Sequence, residues 1–190
     1  MSLVIVDVSS YDAFKAAILG HGFDVDGIAG YQCVDIPKEL TGSAGRHSPY
    51  WRSGPDGLAY EAWTDLDSRN YNIGNLFTPI YNKADIRKGD VVILDKGRFS
   101  GDITGHVALA DSDWNSGTTS AVLLGQNQVN PNPTTGHITT LTSMSVVKFL
   151  GGFRFNAWNQ PVPPTPTRNK HKFPWYLRTK RLNEIRRGLS

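Results

Sequence analysis

From residue 91 onward the chain reads as short β-rich runs separated by turn formers, and this pattern constrains the fold more than any other feature. The runs are Val91–Leu94, His106–Ala110, Ala121–Gly125, Gly136–Leu141 and Phe149–Phe155, parted by Gly, Asn, Asp and Pro. Upstream the periodicity is helical. Tyr11–Gly20 carries Phe14, Ala17 and Ile18 on one face, with Ser9 or Ser10 to cap it and Gly20 or Gly22 to stop it. Cys33–Leu40 reads as the start of a second helix whose first turn is restricted by Pro37. Leu58–Asp67 spaces Ala59, Ala62, Trp63 and Leu66 as a third. Helices followed by a run of strands define an α+β layout, with N-terminal helices packed on an antiparallel sheet.

At 190 residues and 39% apolar, the chain can bury one substantial core, and it contains no internal repeat. No apolar run approaches the roughly 20 residues of a membrane span. The start, Met1-Ser2-Leu3-Val4-Ile5-Val6-Asp7, has no basic region ahead of its short apolar stretch, so it does not read as a secretory signal. The expectation is a protein made in the cytoplasm without an export signal of its own.

Charge marks a boundary. Residues 168–190 hold eight Lys/Arg and one acid, a balance of +7. Of the 20 basic and 17 acidic residues overall, twelve and sixteen remain for the rest, a balance of −4. Between the two lies Gln160-Pro161-Val162-Pro163-Pro164-Thr165-Pro166-Thr167, whose prolines favour a semi-rigid connector. The expected organisation is a domain over 1–158, a proline-rich linker over 159–167 and a basic amphipathic tail over 168–190. In the tail, Trp175, Leu182 and Leu189 are seven apart, with Ile185 alongside. Such a segment suits docking on an anionic wall or membrane, or on a partner such as another virion protein. Nucleic acid would need a reading motif, and none is present.

Cys33 is the single cysteine, so no disulfide forms within the chain. A thiol acting as a nucleophile needs a base, and His106, the one polar ring in the small apolar run Gly105-His106-Val107-Ala108-Leu109-Ala110, is the natural partner. A cysteine at a helix start lies where unpaired backbone N–H groups favour a thiolate and can bind an oxyanion. Gln32, its neighbour, could add a side-chain donor.

The succession Asp24-x-Asp26-Gly27, Gly30-Tyr31-Gln32-Cys33-Val34-Asp35, Lys88-Gly89-Asp90-Val91-Val92, Gly105-His106-Val107-Ala108, Gln126-Asn127 and Phe149-Leu150-Gly151-Gly152-Phe153-Arg154 resembles the CHAP family of cysteine, histidine-dependent amidohydrolases and peptidases. The resemblance covers about residues 10–158. It implies a papain-like (NlpC/P60-like) α+β fold and hydrolysis of amide bonds in bacterial peptidoglycan, as in phage lysins acting at the cell wall, free or carried in the virion. Cys33 would be the nucleophile and His106 the general base. The alternative is a structural or binding component of a phage particle on the same scaffold, non-catalytic or weakly active.

One position departs from that pattern. The family usually places a Glu two residues before the Asn on the strand after the histidine, and here that place is Gly125. Asn127 is the first candidate to orient the imidazole and Gln126 the second. An amide stabilises an imidazolium less than a carboxylate, so a slower enzyme is expected.

Asp24, Asp26 and Asp35 offer hard oxygen ligands around the nucleophile, and Gly27 permits a sharp turn that can direct the carbonyls of Ile28 and Gly30 into the same space. Calcium-binding relatives carry ligands at the matching positions, so the resemblance implies a structural Ca2+. No cysteine and histidine cluster argues for zinc. His21, His47, His137 and His171 are scattered and receive no role. Among the aromatics, Tyr50, Trp51 and Tyr71 are candidate groove walls.

Overall fold

Val91, Val92, Ile93 and Leu94 are all fully buried, which requires a strand covered on both faces. A computed structural model describes residues 6–44, 58–64, 76–98, 101–128, 131–132 and 134–158 of the chain. In it these four residues form a central strand. The proline-rich stretch, the basic tail, and Tyr50, Trp51 and Tyr71 lie outside the described residues.

Among the described residues, three α-helices precede six strands: α1 (Tyr11–Ile18), α2 (Asp35–Ser43), α3 (Glu61–Thr64), β1 (Phe77–Ile80), β2 (Val91–Leu94), β3 (His106–Ala110), β4 (Ser120–Gly125), β5 (Thr140–Ser145) and β6 (Phe149–Phe155). The strands form one sheet in the order β1-β6-β2-β3-β4-β5, with every pairing antiparallel. This is the expected α+β layout. β2 alternates Val91 and Ile93 onto one face and Val92 and Leu94 onto the other. The first face shares a core with Phe14 and Ile18 of α1 and Ile36 and Leu40 of α2. The second packs with Ile80, Ile86, Trp114, Leu123 and Val146.

Local chemistry explains the element boundaries. The Ser10 hydroxyl accepts from the Ala13 N–H at 3.1 Å and caps α1. α2 begins two residues later than its sequence suggests. The first turn of a helix entered at Cys33 would need an N–H from residue 37 to the Cys33 carbonyl, and Pro37 has none. The first such bond instead runs from the Lys38 N–H to the Val34 carbonyl, at 3.4 Å. Cys33 therefore sits in the turn ahead of the helix, closed by the Asp35 N–H on the Gln32 carbonyl at 3.1 Å.

One strand expectation changes, and one strand is unforeseen. The run expected over 136–141 is displaced to Thr140–Ser145, because the backbone of His137 bonds to Tyr31 and that of Thr139 to Gly20 and His21 rather than to β4. β1 has no sequence expectation behind it. Its Pro79 removes a ladder donor, and the strand lies at the sheet edge, where that loss is tolerated.

The Lys88-Gly89-Asp90 and Gly152-Phe153-Arg154 segments meet through a bidentate ion pair. Arg154 Nε donates to Asp90 Oδ1 at 3.0 Å and Nη2 to Oδ2 at 2.8 Å. Asp90 Oδ2 also accepts from the Arg87 N–H at 2.7 Å. Trp158 closes the domain: its indole N–H donates to the Val8 carbonyl at 2.9 Å, and its ring meets Tyr11, Phe14 and Phe155.

Candidate active site

The turn at Cys33 is stitched to the far end of the sheet. Gln126, fully buried at the end of β4, accepts from the Phe23 N–H at 2.6 Å and donates to the carbonyls of Phe23 and Gln32 at 2.9 and 3.0 Å. Tyr31 bonds across to the Thr135 carbonyl at 2.9 Å, and its own carbonyl accepts from the His137 N–H at 3.3 Å. Gly136 makes this approach possible. A Cβ there would fall 1.8 Å from the Tyr31 carbonyl oxygen, and its φ of +62° suits glycine.

These contacts seat Cys33 beside β3. β4 pairs with β3 only at Leu109 and Ala110, and the Val107 N–H, nearer the His106 end, acts on the Cys33 thiol. Cys33 and His106 line one cavity of about 530 Å³ together with Gln32, Arg98 and Asn127. Exposed Ile28 and Ile103 stand at its lining, 67% and 70% accessible.

Burial governs the electrostatics here. It pushes the Cys33 thiol above its ordinary value, against the lowering effect of the Val107 N–H and of Arg98. Burial also draws His106 down to about 3, and the Arg98 guanidinium acts in the same direction. The resting cavity therefore favours a neutral thiol and a neutral imidazole. Arg98 is held by Asp102, Nε to Oδ2 at 2.8 Å, and donates to the Gly105 carbonyl at 2.9 Å, bracing the loop that leads into His106.

The imidazole has a partner that sequence reasoning missed. His106 Nε2 lies 3.3 Å from Gln128 Oε1. Neither Asn127 nor Gln126 takes the orienting position expected of them. Asn127 adopts φ +54°, the left-handed conformation that Asn tolerates at a turn. Its amide donates to Gln32 Oε1 at 2.9 Å and to the Asn132 carbonyl at 3.0 Å, while Oδ1 accepts from the Asn132 N–H at 2.8 Å and meets His137 Nδ1 at 3.2 Å. Gln126 is occupied with Phe23 and Gln32. The only sequence signal for Gln128 was its place in Gly125-Gln126-Asn127-Gln128, one residue beyond the motif.

Gln32 likewise departs from its expected part as an oxyanion donor. Its amide N–H groups go to the carbonyls of Ala29 and Asn132, at 3.3 Å for the second.

Asp24, Asp26 and Asp35 each place a carboxylate oxygen within 4.8 Å of the others. Asp24 Oδ1 is buried and has no hydrogen-bond partner among the described residues. Asp35 accepts from the N–H groups of Val25 and Gln32 at 3.3 and 2.9 Å, organising the loop between them. Desolvation raises its carboxyl to about 7, opposed by Lys38. The Lys38 ammonium pairs with Asp26 and lies 3.7 Å from Asp35, so one positive charge already stands at the cluster. Gly30 is pressed against Thr135, and Ile28 donates its N–H to Asp26 Oδ1 at 2.9 Å.

No family model matches the chain, and no curated protein matches it in sequence. Among solved structures it is similar to the wild-type endolysin LysIME-EF1, with a TM-score of 0.56 and 24% identity, over 76% of this chain and 63% of that one. At this identity the likeness establishes a shared fold. The chain spans about 63% of the endolysin's length.

Proposed function

We propose that this chain is a cysteine-dependent peptidoglycan hydrolase of the CHAP, papain-like type, cutting an amide bond of the bacterial wall as a phage lysin does. The observation that carries the reading is that Cys33 and His106, far apart in sequence, line one cavity in a fold shared with an endolysin. Cys33 Sγ adds to the scissile carbonyl carbon while its proton passes to Nδ1 of His106, the ring nitrogen that the Gln128 contact does not use. The imidazolium then protonates the departing amine, leaving a thioester. Water, deprotonated by the same nitrogen, releases the carboxylic acid and restores the thiol. The positive end of α2 lies just beyond Cys33 and favours the transient oxyanion. Ile28 and Ile103 supply apolar surface for the substrate at the cavity.

Calcium fits the residues present. Asp24, with its orphaned oxygen, Asp26 and Asp35 would hold it with the carbonyls of Ile28 and Gly30. The ion would neutralise the carboxylates and order the loop that carries Cys33. It would compete there with the Lys38 ammonium. Calcium added to chelator-treated protein should raise the melting temperature, since a ligand of the folded state at a hundred times its Kd contributes about 2.7 kcal/mol. Lys38→Met should lower the calcium concentration at half-saturation, and Asp26→Ala should abolish the shift. A melting temperature unmoved by millimolar calcium would remove the ion from this account.

The function is tested by digesting purified walls and identifying new termini by mass spectrometry. New amines or freed lactyl groups are expected from the wild type. Cys33→Ser and His106→Ala should release none while keeping native circular dichroism. Near-normal release by Cys33→Ser would defeat the assignment.

A further inference from the structure

We infer that Gln128 is the positioning residue of His106, standing in for a side chain that Gly125 lacks. The inference rests on the proposed reading of His106 as a base. Its first support is the direction of the amide. Gln128 Nε2 donates to the carbonyls of Leu123, Gly125 and Thr140 at 3.1, 3.2 and 2.9 Å, with the Thr140 hydroxyl at 3.5 Å. Rotating the amide by half a turn would set Oε1 against three carbonyl oxygens, so the orientation is locked.

Oε1 is therefore an acceptor, and the ring atom 3.3 Å away must carry a hydrogen. A neutral imidazole protonated at Nε2 has its lone pair on Nδ1. That is the tautomer required of a base that takes the Cys33 proton at Nδ1, as in the proposed mechanism. Gln128 is 8% exposed and His106 2%, so water does not compete effectively for this contact.

The second support is space. His106 and Ala108 share a face of β3 by alternation. A Cβ at Gly125 would lie 3.1 Å from Ala108 Cβ and 3.2 Å from both Cδ and Oε1 of Gln128. The carboxamide of Gln128 thus fills the room that a side chain at position 125 would take, and it reaches the imidazole from there. An acid at 125 and an amide at 128 are alternative occupants of one position beside the ring. With the amide, the partner of the imidazole carries no charge.

Three measurements test this. In 15N-labelled wild type near neutral pH, long-range 1H–15N correlations should show His106 protonated at Nε2; an Nδ1–H ring would overturn the inference. Gln128→Ala should lower kcat on purified walls roughly a hundred-fold with KM nearly unchanged. A folded Gln128→Ala that keeps wild-type kcat would overturn it equally. The double variant Gly125→Glu with Gln128→Ala should recover at least part of the lost kcat, and no recovery would sink the claim of a shared position. Wild-type protein that cuts no wall would defeat the proposed function instead. The tautomer measurement needs no substrate, so it tests the contact of Gln128 with His106 separately from wall cutting.

Discussion

At the scale of single residues, Gln126 clamps the turn that carries Cys33. It satisfies both backbone groups of Phe23 and the carbonyl of Gln32 from a position with no solvent access. Truncation to Ala strands those groups. Gln126→Ala should lower the unfolding free energy by about 2–4 kcal/mol, measured by denaturant titration, with activity lost as the Cys33 turn loosens. A change below about 0.5 kcal/mol would mean that solvent replaces the clamp. His106 adds a pH dependence. Its folded value of about 3 lies below the unfolded value near 6.5, so between those limits the unfolded chain binds the additional proton. Stability from this group is complete above pH 6.5 and falls as pH drops toward 3, by at most about 1.4 kcal/mol per pH unit. The His106→Ala variant should lack that part of the slope in melts across this range. Cys33 and His106 were legible in the sequence because their chemistry is rare and their surroundings are apolar. Gln128 was not, because its role depends on the empty side-chain position at Gly125, a relation between neighbours in space.

At the scale of elements, β2, β3 and β6 have the bounds expected from sequence, since each is an uninterrupted run bordered by turn residues. The errors fell where backbone bonds are made outside the sheet ladder or at its rim. His137 bonds to Tyr31 in the nucleophile's loop and Thr139 to Gly20 and His21 after α1, and β1 includes a proline. α2 was misplaced by two residues through the missing N–H of Pro37. Asp90 and Arg154, both in segments that carry the resemblance, are architectural: they fasten the approach to β2 onto β6. Asp90 is 3% exposed, while the Arg154 side chain is 29% exposed. Asp90→Asn should therefore cost about 2 kcal/mol, below the range for a wholly buried pair. Thermal melts check this, and wall hydrolysis at temperatures where the variant stays folded should be unchanged.

For the whole molecule, the described elements that build the candidate site lie between Val6 and Trp158. A chain ending at residue 158 should fold and retain hydrolysis of soluble peptidoglycan fragments, while losing whatever attachment the basic residues 168–190 provide. Unfolding of that truncation would place the domain boundary elsewhere. Trp158 itself is indispensable to the prediction, because its indole joins Val8 to the end of the sheet and packs on Tyr11, Phe14 and Phe155. The same contact means that the chain enters and leaves this fold at neighbouring points. A unit of that shape can be cut and rejoined: a short bridge from 158 back to 6, with new termini opened at the exposed Asn115–Gly117 turn, should yield a circular permutant with its sheet order preserved. It can also be inserted whole into a surface loop of another protein without prising that loop apart.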